Sequence, residues 1–125
     1  MNLDALRNYC ATLPGATRDV KWGADEVYSV GGRMFAVFLI ERGKAKTAWF
    51  MCDPERFLEL TDQPGIVPAP YLARAHWVQL RDPQAVTHAV AQELVSRSRA
   101  LVLAKLPRRM QAAISARPAP TAPKA

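Results

Sequence analysis

Residues 26–52 read EVYSVGGRMFAVFLIERGKAKTAWFMC, three apolar-rich runs separated by two tight turn signals. Gly31-Gly32 can take the positive φ angles of a two-residue hairpin turn, and Arg42-Gly43 turns the chain a second time. Between them RMFAVFLI is almost continuously apolar, as a central strand covered or flanked on both faces should be. In KAKTAWFMC the side chains alternate: Lys44, Lys46, Ala48 and Phe50 point one way, and Ala45, Thr47, Trp49 and Met51 the other. Turns this short connect antiparallel neighbours, so the stretch predicts a meander.

On the N-terminal side, Leu3, Leu6, Cys10 and Leu13 recur at helical spacing and mark the buried side of a first helix over about residues 3–13. Asn2 is its N-cap and Pro14-Gly15 stops it. VKW (residues 20–22) opens a short strand. Asp53-Pro54-Glu55 starts a helix with an Asp cap, Pro at the first position and an acid in the first turn, ending near Asp62. QPGIVPAP (residues 63–70) reads as loop, because its three prolines forbid a helix and leave few donors for a sheet. HWVQL alternates as a strand. Asp82-Pro83 repeats the Asp-Pro start for the last helix, with Val86, Val90, Leu94 and Leu101 on its core side. His88, Gln92, Arg97 and Arg99 lie away from that side. The helix should fade near Lys105, ahead of Pro107. The order is α-β-β-β-α-β-α, an α+β two-layer fold with an antiparallel sheet and helices packed on one face. The other face is left to a partner or to shielding loops. Residues 1–110 form one domain, and residues 111–125 are the helix end and a disordered, basic, Pro/Ala-rich tail.

With 125 residues, 50% hydrophobic and 22% charged, the chain is an ordinary globular domain. No apolar run approaches the ~20 residues of a membrane helix. MNLDALRNYC lacks the basic and apolar regions of a signal peptide, so the cytoplasm is the expected location and a monomer the expected state. Cys10 and Cys52 have no metal-ligand spacing and are expected as buried thiols, although Cys52 precedes a helix start that would favour its thiolate. The net charge of +6 is unevenly spread: residues 1–64 hold eight Lys/Arg against nine Asp/Glu, residues 65–125 nine against two. From Arg97 onward there are seven cations and no acid. A polyanionic partner suits such one-sided charge.

Four pieces resemble the MmcQ/YjbR-like proteins: KWGADEVYSVGGRMFAVF (residues 21–38), CDPE (52–55), YLARAHW (71–77) and LVSRSRALVLAKLP (94–107). The resemblance implies a small bacterial single-domain protein with a CyaY-like (frataxin-like) fold, a DNA-binding label resting on structural analogy, and no settled catalytic residues. It marks Arg74, His76 and Trp77 as motif positions without a role. This sequence has Ala73 where the family pattern carries Asn, and Arg74 where it carries Lys.

The residues themselves offer little chemistry of catalysis. His76 and His88 are the candidate bases, and His76 has no Asp or Glu nearby in sequence to orient its ring. Ser96, Ser98 and Ser115 sit in no nucleophile motif, and VGGR opens no helix that would cradle phosphate. No enzyme activity, cofactor or metal is therefore expected. The iron question raised by a frataxin-like fold needs clustered acids, and the first helix and following loop offer only Asp4 and Asp19. The expected function is non-specific nucleic-acid binding, DNA foremost, with Arg33, Lys44, Lys46, Arg74, Arg97, Arg99, Arg108 and Arg109 on phosphates. Trp22, Tyr28 or Trp49 would stack on bases if the open sheet face presents them. In YLARAHW, Tyr71 and Leu72 should pin the loop and Trp77 should bury against a helix. Arg74 should be free unless an acid such as Asp82 holds it. The alternative is a non-enzymatic protein-interaction or regulatory module, its partner an acidic protein.

Overall fold

The computed structural model describes residues 1–115. The tail from Ala116, with Arg117, Lys124 and the disorder expected of it, lies outside the described residues. The meander forms as its turns dictate. Strands β1 (Ala16–Lys21), β2 (Asp25–Val30), β3 (Arg33–Glu41) and β4 (Lys44–Met51) are consecutive antiparallel neighbours. Gly31 and Gly32 have φ of 58° and 81°, Arg42 and Gly43 51° and 79°, all in the left-handed region that a twisted two-residue hairpin requires. After helix α2 (Pro54–Thr61), β5 (Ile66–Pro68) and β6 (Trp77–Leu80) complete a six-stranded sheet in the order β1-β2-β3-β4-β6-β5. Helices α1 (Leu3–Thr12), α3 (His88–Ala104) and α4 (Arg108–Ser115) finish the α+β fold.

β5 corrects the loop reading of QPGIVPAP. A Pro-containing strand survives because it lies at the sheet edge, where one side of its backbone needs no ladder partner. A second correction concerns α3. Asp82 does cap, its carboxylate accepting from the Gln84 amide at 2.9 Å, but the element it caps is a single 3-10 turn, Pro83–Ala85. The long helix starts five residues later, with the Thr87 hydroxyl accepting from the Val90 amide. Its core side shifts accordingly to Ala91, Leu94, Val95, Ser98 and Val102, leaving Val90 exposed and Leu101 half-buried. The chain continues past Pro107 as α4, whose Ile114 packs over Gly15 and Gly31; a Cβ at either glycine would come within 2.5 Å of Ile114 or Leu106.

Helices α1 and α3 cover one sheet face, the side of Ala36, Phe38, Ala48, Phe50 and Leu80, all fully buried or nearly so. Two polar devices fasten that layer. Phe35 is the extra residue of a bulge in β3, since Tyr28 pairs with Ala36 and Ser29 with Met34. The fully buried Ser98 donates its hydroxyl to the Phe35 carbonyl at 2.7 Å and accepts the Met51 amide at 2.9 Å. Glu26 accepts from Arg7 of α1 at 2.8 Å, from Arg18 of β1 at 2.9 Å and from the Tyr28 hydroxyl at 3.0 Å. Hydrogen bonding from Arg18 foremost holds its carboxyl below the usual carboxylate range, and burial raises the Tyr28 phenol. No helix of the described residues is long and apolar enough to cross a membrane.

Candidate functional site

Four of the eight expected phosphate contacts meet at one end of the molecule. Arg33 begins β3 beside the Gly31-Gly32 turn and borders a depression of about 380 Å³ floored by Met51, Trp77 and Val102. Lys105, at the end of α3, closes the opposite rim. Ala75 completes it, and the residue before it is the exposed Arg74, on a 3-10 turn (Ala73–Ala75). Arg108 and Arg109 open α4, which lies against the same Gly31 turn, and both are exposed. None of these five cations makes an ion pair or side-chain hydrogen bond among the described residues, and Asp82, the acid nearest Arg74 in sequence, is occupied by its own turn. Lys105 is absent from the expected set; the basic, acid-free run from Arg97 is the signal that could have found it.

The other four are elsewhere. Lys44 and Lys46 are exposed, but β3 separates them from Arg33 by roughly 25 Å of strand length. Arg97 is not free: its guanidinium grips the Asp53 carboxylate in a two-pronged pair at 2.8 and 2.9 Å. The pair explains why Asp53, at the cap position of α2, makes no capping hydrogen bond with its side chain. Arg97 also holds the Asp53 carboxyl low. Arg99 donates its Nε to the Pro14 carbonyl at 2.9 Å, and its partial burial lowers its pKa, so it braces the turn after α1.

YLARAHW divides its labour differently from expectation. Trp77 is buried, as expected. Tyr71 pins nothing: its ring is wholly exposed and its φ is 66°. His76 sits at φ 64°, its carbonyl accepting the Cys52 amide at 2.9 Å and its ring packing edge-on against Phe57 at 5.6 Å. The left-handed backbone turns the chain from the 3-10 turn into β6. Neither ring nitrogen of His76 has a hydrogen-bond partner among the described residues, and His88 pairs with Gln92 at 3.0 Å. Among the described residues no three His, Cys, Asp or Glu side chains converge as a metal site. Cys10 and Cys52 are buried; burial pushes the Cys52 thiol up to about 11, so the helix start does not yield a thiolate.

Of the three aromatics considered for stacking, Tyr28 is buried on the helix side. Trp22 and Trp49 instead wall a cleft of about 430 Å³ on the opposite sheet face, over Val37 and Leu39. That face is the one carrying the Val37–Trp49 and Leu39–Thr47 cross-strand pairs. Thr47 Oγ1 and Trp49 Nε1 are buried there without partners among the described residues.

These features define a small two-layer α+β domain with an open antiparallel sheet, a basic end and an apolar cleft. The chain belongs to the YjbR family, whose sequence profile, YjbR, matches residues 11–101. Among solved structures it is similar to a Deinococcus radiodurans protein with a DUF419 domain, at 26% identity over 91% of this chain and 88% of that one, with a TM-score of 0.77. It also shares the fold of a Pseudomonas syringae protein, at 19% identity over 82% and 99% of the two chains and a TM-score of 0.65. No curated protein matches it.

Proposed function

We propose that this chain binds polyanions, nucleic acid foremost, through its basic end, without reading sequence and without catalysing a reaction. The observation that carries the proposal is the grouping of Arg33, Arg74, Lys105, Arg108 and Arg109, all exposed and none spent on an acid among the described residues. Unpaired guanidinium and ammonium groups release phosphate counterions on binding, which yields affinity that is indifferent to base sequence and steep in salt. Among the described residues no helix with the geometry of a groove-reading element projects from this end; α4 has eight residues and Ile114 is buried against the domain. A cytoplasmic setting and a monomeric state belong to the same proposal.

Titration of a mixed-sequence DNA duplex at several salt concentrations tests it. Each charge removed by Arg33→Ala, Arg74→Ala or Arg108→Ala should lower the log–log salt slope by about one. Arg97→Ala, whose partner is Asp53, and Lys44→Ala, at the far hairpin, should leave the slope unchanged. A slope of zero for the natural chain would sink the proposal. Binding of polyglutamate with none of DNA would reassign the same cations to an acidic protein.

A further inference from the structure

The cleft on the other sheet face has the opposite electrostatics from the basic end. Its floor is Val37 and Leu39, its walls are Trp22, Trp49 and Tyr71, and Asp25 is the one charged residue lining it among the described residues. We propose that this cleft binds a small organic cation, an ammonium group carried on a short apolar body. The proposal is independent of the polyanion reading.

Two observations converge on that ligand class. The first is composition: aromatic faces carry negative potential that attracts a cation, and a carboxylate beside them adds direct Coulomb attraction. No Lys, Arg or His of the described residues lines the cleft to oppose it. The second is exposure. Trp22 and Tyr71 are large aromatic side chains left in water, 65% and 101% exposed, so neither ring is there to fill the core. They stand on separate loops, the β1–β2 turn and the segment after β5, and face one space. The volume lies within the ordinary range for small-molecule sites, roughly 300–1,000 Å³.

The discriminating probes are choline and its uncharged carbon isostere, 3,3-dimethylbutan-1-ol, which match in shape and differ in charge. Both are titrated against the full chain by tryptophan fluorescence and by amide and indole NMR shifts. Choline should bind saturably and on the order of tenfold tighter than the isostere. The perturbed resonances should be those of Trp22, Trp49 and Tyr71. Asp25→Asn should reduce the preference for choline without abolishing it and leave the isostere unaffected; Trp22→Ala and Tyr71→Ala, at exposed positions, should weaken choline several-fold, and Arg74→Ala should do nothing. Equal affinity for the two probes would overturn the proposal in favour of a merely apolar cleft. An absence of saturation, shifts mapping elsewhere, or response only to a trimethyllysine peptide would also overturn it. The mapping on the natural chain decides the matter even if a variant does not fold.

Discussion

At Ser98 a single hydroxyl closes two backbone groups that the β3 bulge leaves without ladder partners. Ser98→Ala should cost on the order of 3 kcal/mol, because both the Phe35 carbonyl and the Met51 amide are then buried unpaired. Urea unfolding measures it, and a loss under about 1 kcal/mol would mean that water or a local shift replaces the hydroxyl. Glu26 makes a pH-dependent counterpart. Its carboxyl is depressed when folded, so its contribution is complete above the unfolded value of about 4 and is lost as pH falls through the lower folded value. Glu26→Gln should therefore cost about 2 kcal/mol at neutral pH, and the gap from the natural chain should narrow as the pH falls below about 4. Neither role is legible locally. Ser98 lies 63 residues from Phe35, and nothing in the run LVSRSRA says which serine meets a bulge.

Among the elements, those set by adjacent residues were legible and those set by distant partners were not. The two hairpin turns and the Asn2 cap follow from neighbours alone, and the structure has them where the residues imply. The alternation expected of β4 holds only from Thr47 onward: a bulge at Lys46 places Ala45 on the helix side with Ala48 and Phe50, and Lys44 on the side of Thr47, a shift that the sequence does not announce. Asp53-Pro54 and Asp82-Pro83 look identical in sequence, yet one aspartate serves an arginine 44 residues away and the other caps a turn of three residues. Which helix a cap belongs to is thus a tertiary fact. It has an energetic consequence: Thr87→Ala, removing the true cap of α3, should cost about 1 kcal/mol, whereas Asp82→Ala should cost less, since only a 3-10 turn loses its acceptor. Thermal melts of the two variants compare them directly, and the reverse order would return the cap to Asp82. β5 is hidden from a sequence reading because the three prolines of QPGIVPAP argue against a sheet in general, and only an edge position admits Pro68.

For the molecule as a whole, charge and fold separate into two surfaces. The basic end was half legible: the excess of cations beyond Arg97 is plain in the sequence, but which of them are free depends on Asp53 and Pro14. The cleft was not legible, because it takes Trp22, Trp49 and Tyr71 from three separate segments. The outermost strands carry a further consequence. On β5 the Ala69 amide donates inward to Trp77, so by the alternation of an antiparallel ladder the nitrogen of Pro68 faces outward, as does that of Ile66. Pro68 has no hydrogen there and the Ile66 amide is already spent on Gln63. On the opposite margin β1 presents Arg18, Asp19 and Lys21 to solvent. A passing strand therefore finds no donors to grasp on one side and a fence of charge on the other. Pro68→Val would restore an outward donor, and its sedimentation coefficient should rise with concentration while that of the natural chain stays constant. A flat profile for the variant would place the safeguard elsewhere. What looks like a stunted strand is a colloidal device, allowing an open sheet to remain open in a crowded solution without growing into fibres.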